Sequence, residues 1–255
     1  MNSIPSSAPE PAPAPRPSGQ QWFATTHWSV VLAAGQSDSA QQEAALQQLC
    51  KAYWYPLYAY IRWRGHGPED AKDLTQEFFL RLIEKNWLEG IATEGARFRS
   101  FLLTMLKAFL ANAHDHAQAA KRGGGRIFVP LDAQEAEGRL GSEPVADQTP
   151  ETIFERRWAM AVLDEALTRL RQAAEAAGKS GHFEALHPFL SREPDEGEYA
   201  AVAARLGMSN GAVGVAVHRL RQRYRDMLEA TVADTLRDAS QTEDEMRHIF
   251  LALRT

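Results

Sequence analysis

Few residues in this chain have the type and spacing to do covalent chemistry. His114 and His116 invite a metal reading, but on a helix two residues apart they point about 200° from one another, and no third ligand is evident. Glu245-x-x-His248 has the spacing of half a di-iron motif, lacks a second copy, and reads as a surface pair. Gly178-Lys179-Ser180 resembles the end of a phosphate loop, but Ala173 stands where its first glycine belongs and a helix precedes it where a strand is required. No nucleophile–base pair or cleft carboxylate pair stands out, so no catalytic residue, metal or cofactor is assigned and the chain is not read as an enzyme. Two stretches carry binding chemistry.

The first is 196–228, EGEYAAVAARLGMSNGAVGVAVHRLRQRYRDML. Tyr199, Val202, Ala203 and Leu206 recur at helical spacing. Gly207 can take the left-handed position that ends a helix, and Ser209 is a good N-cap for the next. Val213, Val217, Leu220, Tyr224 and Leu228 then form one apolar stripe. Gly211, Val215, His218, Gln222 and Arg225 fall opposite it, with Arg219 and Arg221 on its flanks. Two helices joined by a glycine turn, the second basic on its outer face, is the helix-turn-helix arrangement. Its small residues allow close approach to base edges and its arginines suit phosphates. The DNA-contacting set is Ser209, Asn210, Gly211, Gly214, Val215, His218, Arg219, Arg221 and Arg223.

The second is Asp70 to Lys85, DAKDLTQEFFLRLIEK. Ala71, Leu74, Phe78 and Leu82 line one face, while Asp70, Asp73, Glu77 and Glu84 share the opposite one with Leu80 beside them. Early acids suit a helix N-terminus, which covers Asp70 and Asp73 but not Glu77 and Glu84. An acidic face holding a leucine reads as a protein-docking surface. Thr75 is expected at the helix surface beside the core, where phosphorylation would add negative charge.

The elements that must position these stretches are helical throughout. Residues 1–21 hold six prolines among Ala and Ser and read as a disordered tail. Order begins at Trp22 with a short capped helix. Ser39 can cap the next, whose apolar positions are Ala45, Leu49, Ala52, Trp54, Leu57, Tyr58 and Ile61; Pro56 implies a kink or break, and the run Arg62–Gly67 ends it. Pro68 starts the acidic helix. Arg97 to Lys121 is a long helical stretch with a bend or break near Ala111, its apolar bulk inside and its arginines and lysines outside. Lys121 to Arg126, KRGGGR, is a basic turn suited to phosphates. Residues 127–150 read as a linker. Thr149-Pro150 starts a helix on which Phe154, Trp158, Val162, Ala166, Leu167 and Leu170 repeat, and a short helix spans His182 to Leu190. Residues 238–255 form an acidic amphipathic helix with Met246, Ile249, Phe250 and Leu253 on one face; covering a domain, binding a partner and competing with DNA for basic surface are all open to it.

The net charge of −5 is segregated: residues 97–126 sum to +5, residues 69–94 to −4 and residues 226–247 to −5. Cys50 is the only cysteine, which excludes a disulfide framework and a thiolate zinc site. No apolar run reaches the roughly 18 residues of a membrane span, and the proline-rich start is not a signal peptide. The expected compartment is the cytoplasm.

DAKDLTQEFFLRL, followed by FRSFLLTML and a basic segment, with a helix-turn-helix far downstream, resembles the extracytoplasmic-function sigma factors of bacterial RNA polymerase. The resemblance runs from about Phe23 to Arg237. It implies an all-α protein of two helical domains joined by a flexible linker: 22–126 for core polymerase and the minus-ten element, 151–237 for the helix-turn-helix. Its implied partners are core RNA polymerase and promoter DNA, with an anti-sigma protein or a kinase as further candidates. It assigns polymerase docking to Asp70, Asp73, Leu74, Gln76, Glu77 and Leu80. On the minus-ten side it points to Arg97, Arg99, Lys107, Phe109, Asn112, His116, Lys121 and Arg122, with Ala108 where the family often has asparagine. Gly214 and Ala216 are small where the family is frequently basic, so the upstream contact is expected to be weaker or to rely more on DNA shape. The competing reading is a stand-alone helix-turn-helix regulator that binds operator DNA without polymerase and carries an N-terminal ligand-sensing domain.

Overall fold

The computed structural model describes residues 39–84, 97–116 and 148–254. Every regular element among them is helical and none is a strand. The order is α1 (Ser39–Trp63), α2 (Pro68–Glu84), α3 (Phe98–His116), α4 (Pro150–Ala176), α5 (Ser180–Leu186), a 3₁₀ turn (His187–Leu190), α6 (Glu198–Leu206), α7 (Asn210–Asp234), a second 3₁₀ turn (Ala239–Gln241) and α8 (Thr242–Arg254). No single helix among the described residues is long and apolar enough to cross a membrane.

Local signals set many of these boundaries. Pro68 occupies the first position of α2, where its missing N–H costs nothing. Thr149 caps α4 reciprocally: its hydroxyl accepts from the Thr152 N–H, and the Thr152 hydroxyl accepts from the Thr149 N–H at 2.9 Å. Gly207, at φ 64°, closes α6 in the left-handed region, and the Ser209 hydroxyl accepts from the Ala212 N–H to open α7. Helices α6 and α7 are bent by 94° across that three-residue junction.

At both positions where a kink, bend or break is expected, the helix is unbroken. Helix α1 runs through Pro56 as one element, with burial of nearly every residue from Leu49 to Ile61 stabilising it across the proline. Helix α3 likewise continues past Ala111 to His116. The short helix expected at His182–Leu190 starts earlier, at Ser180, and tightens into a 3₁₀ turn where Pro188 follows His187. The expected first helix after Trp22, the basic turn 121–126 and most of the linker 127–150 lie outside the described residues.

One apolar cluster joins α1, α2 and α3 to the first half of α4, the last turns of α7 and α8. Trp54, Tyr58, Phe78, Leu102 and Leu106 meet Phe154, Trp158, Val162, Leu228, Val232 and Ile249 within it. A second cluster joins the end of α4 (Leu170) to α5, the 3₁₀ turn, α6 and the first half of α7, through Phe183, Phe189, Val202, Val213, Val217 and Leu220. Helices α4 and α7 therefore run through both clusters. Tyr224 packs against each of them and donates its hydroxyl to the Leu163 carbonyl at 3.1 Å; burial, with Asp164 nearby, pushes its pKa up to about 12. Polar ties reinforce the first cluster: Glu151, at the start of α4, accepts from the Tyr60 hydroxyl and pairs with Lys107 of α3 at 2.9 Å.

Candidate nucleic-acid and partner interfaces

The 3.6-residue period explains how α2 sorts its side chains. Ala71, Phe78 and Leu82 are buried on one face, with Leu74 packed at its margin. Asp70 and Asp73 are exposed on the other and meet no cation among the described residues. Glu77 is ion-paired within its own helix to Arg81 at 2.6 Å, and Gln76 and Leu80 are half-exposed beside it. Thus Asp70, Asp73, Gln76, Glu77 and Leu80 share one surface, while Leu74 bridges it to the core. The side chain of Glu84 lies outside the described set. Thr75 is not at the surface: it is 0% exposed, and its hydroxyl donates to the Ala71 carbonyl at 2.7 Å. A kinase has no access to it in this fold.

Helix α3 divides less as expected. Its outer face carries Lys107, Ala108 and Asn112. Phe109 points inward, edge-on to Phe78 with ring centres 5.7 Å apart and covered by the Arg81 guanidinium, so it walls no open pocket. His116 belongs to the helix, but its side chain is outside the described set, as are Lys121 and Arg122 altogether.

Arg99, expected outside, is 3% exposed. It sits on the core side of α3, where its guanidinium stacks 4.3 Å from the Trp158 ring centre and donates to Glu155 at 2.7 Å. It also pairs with Glu245 of α8, whose carboxylate is fully buried and is met from its other side by Arg97 at 3.0 Å. His248 completes the group, its Nε2 2.9 Å from Glu155. Burial pulls the Arg99 guanidinium below its ordinary pKa while Glu155 pulls it up. Glu245 and His248 are therefore not a surface pair: they are two attachments of α8 to α3 and α4. The apolar face of α8 is also redrawn. Ile249 and Ala252 are buried and Met246 and Leu253 pack beside them, whereas Phe250 is half-exposed and points away.

The start of α7 presents Ser209, Asn210, Gly211, Val215, His218 and Arg219 outward along one side. Val215 is an apolar side chain left 51% exposed. Gly214 is half-buried against α6; a Cβ there would meet the Tyr199 ring at 3.6 Å, an ordinary contact, so an alanine methyl fits. The arginines separate into two kinds. Arg219 and Arg223 are exposed and meet no carboxylate among the described residues. Arg221 is committed inward: its Nε donates to the Phe189 carbonyl and its Nη2 to the Arg192 carbonyl, both at 2.9 Å, with Glu193 paired at 2.9 Å. It ties α7 to the loop after the 3₁₀ turn instead of reaching out for a ligand.

That loop is built by charge. Arg192 makes a two-pronged pair with Glu198 at 2.6 and 2.7 Å, and Glu198 also accepts from the Asp195 N–H. These bonds, Arg192 first, hold the Glu198 carboxyl down at about 2.

A groove of about 790 Å³ lies along the flank of α7, between it, the end of α4 and α5. Leu170, Phe183 and Met227 help line its apolar floor; Lys179, Arg219 and Arg223 edge it. Three separate elements build it, which is why no local motif announced it. Among the described residues no group of three or more His, Cys, Asp or Glu could hold a metal ion. Cys50 is buried in α1, with its thiol pushed up to about 12 by burial. No protein-family model, curated protein or solved structure matches the chain.

Proposed function

We propose that this chain is a promoter-specificity subunit, a sigma factor of the extracytoplasmic-function type acting with bacterial RNA polymerase in the cytoplasm. One observation carries the reading. Among the described residues one helix presents an acidic face with a leucine in it, and another presents a start of small residues followed along the helix by the exposed Arg219 and Arg223. The acidic face of α2 suits docking on a basic protein surface. The bent pair α6–α7 suits a helix-turn-helix: the 94° angle and the cap at Ser209 project Asn210, Gly211, Val215 and His218 toward a groove of DNA, while Arg219 and Arg223 flank them for phosphates. On this reading 22–126 and 151–237 act as the polymerase-facing and upstream-reading parts, and 127–150 links them.

The chemistry of transcription is then polymerase's own; this chain supplies position and sequence preference. Weak, salt-sensitive DNA binding by the chain alone follows from a net charge of −5 and basic surfaces that are far from one another in the sequence. The test is gel filtration of the full chain with core polymerase, followed by transcription from bound genomic fragments. Co-elution with promoter-dependent transcripts supports the proposal; operator-like binding by the chain alone, without co-elution, removes it.

The groove beside α7 favours a second reading, a stand-alone regulator whose DNA affinity responds to a small ligand. Its volume is within the range of ligand sites, and two of its edge residues, Arg219 and Arg223, belong to the candidate DNA-contacting set. It lies, however, in the C-terminal half of the chain and not in an N-terminal sensing domain.

A further inference from the structure

We infer that α8 is an intramolecular competitor for nucleic acid: Glu245 occupies the place of a phosphate between Arg97 and Arg99, and DNA engages these arginines only when α8 is displaced. This rests on the reading of α3 as a nucleic-acid-contacting helix. Two guanidinium groups converging on one buried anion are the arrangement that takes a phosphate, and here the anion is supplied by the chain itself. The clamp is specific to that spot. Of the three acids opening α8, Glu243 and Asp244 are exposed and pair with Arg247 on the same helix, while Glu245 alone turns inward.

The attachment of α8 is light in apolar terms, which makes displacement feasible. Ile249 and Ala252 are its only buried apolar side chains, with Met246 and Leu253 partly covered. Ionic contacts also fix its register: Glu245 to Arg97 and Arg99, and His248 to Glu155. Glu155 bonds both Arg99 and His248, so α8 and α3 are held through one shared carboxylate on α4. Removal of α8 leaves Arg97 without the anion it now meets and uncovers the side of Arg99 that Glu245 covers. A polyanion offering phosphates at that position gains two ion pairs as α8 loses its own.

The experiment measures binding of a fluorescent single-stranded DNA oligonucleotide to the full-length chain across a range of salt. Glu245→Gln keeps the side chain's shape and removes its charge; Glu243→Gln makes the same change in net charge at an exposed site. Glu245→Gln is expected to bind more tightly, with a salt slope steeper by roughly 0.7 for each phosphate gained, up to about 1.4. Glu243→Gln should match the parent, and adding Arg97→Gln to Glu245→Gln should return about half of the gain. Because Glu245→Gln could disturb the fold, hydrogen exchange on the unmodified chain gives a second reading: α8 should lose protection when DNA saturates the protein. Equal affinity and slope for parent and Glu245→Gln, or full protection of α8 in the DNA complex, overturns the clamp while leaving DNA binding intact. No DNA binding by any variant at low salt removes the nucleic-acid reading of α3 and the clamp with it.

Discussion

Replacing Arg221 with alanine separates a structural arginine from its ligand-facing neighbours on the same helix. The side chain donates to two backbone carbonyls, those of Phe189 and Arg192, each at 2.9 Å, and pairs with Glu193. A hydrogen bond from a charged donor contributes about 1.5–3 kcal/mol when sheltered. The Arg221 side chain is 36% exposed, so each bond is better set at about 1 kcal/mol, and the pair with the exposed Glu193 adds little. The expected loss is about 2 kcal/mol. In a chain of this size that corresponds to a fall in Tm of roughly 4–8 °C if unfolding is two-state. Lysine should recover only part of it, since one ammonium cannot span two carbonyls as a planar guanidinium does. Arg219→Ala and Arg223→Ala should each leave stability within about 0.5 kcal/mol. Each should instead lower the salt slope of duplex DNA binding by about 0.9. Urea titration and anisotropy on the same preparations read both quantities. If Arg221→Ala melts with the parent and loses DNA slope like the other two, the assignment of Arg221 to the fold is wrong.

Two further outcomes follow from single residues. Thr75→Val should be nearly neutral, because it removes the hydroxyl and leaves the packing, whereas Thr75→Glu buries a carboxylate and should cost several kcal/mol in urea denaturation; a Thr75→Glu variant as stable as the parent would show that the site opens. Glu198 has a folded pKa of about 2, below the unfolded value of about 4.3, so its bonds to Arg192 and Asp195 stabilise the loop fully above that unfolded value and are lost as pH falls toward 2. A carboxyl resonance of Glu198 titrating above pH 4 by NMR would contradict the geometry.

Much of the helical layout was legible because its signals are local. Pro68, the Thr149-Pro150 start, the left-handed Gly207 and the Ser209 cap each act within a turn of their own position, and the structure places helix ends at all of them. Local rules failed where distant packing outweighed them. Pro56 costs α1 a hydrogen bond, but the buried run from Leu49 to Ile61 keeps the helix whole. Arg99 reads as a surface cation because arginine usually is one; its stability inside depends on Trp158, Glu155 and Glu245, which arrive from α4 and α8. Arg221 was indistinguishable from Arg219 and Arg223 by type and spacing, and only the fold of the loop after the 3₁₀ turn supplies the carbonyls that claim it. The α2 face was the most readable part of the candidate site, since a 3.6-residue period alone puts Asp70, Asp73, Glu77 and Leu80 together.

The proposed function turns on that face. Asp73→Lys with Glu77→Lys reverses its charge while Ala71, Phe78 and Leu82 keep their packing, and removes one exposed pair with Arg81 worth about 0.3–0.5 kcal/mol. The fold should survive, with helical content near that of the parent. Like charges facing across an interface cost several kcal/mol. Measured by gel filtration with core RNA polymerase, the parent is expected to co-elute and the double variant to elute alone; co-elution of both, or of neither, contradicts the assignment of α2 as the docking helix.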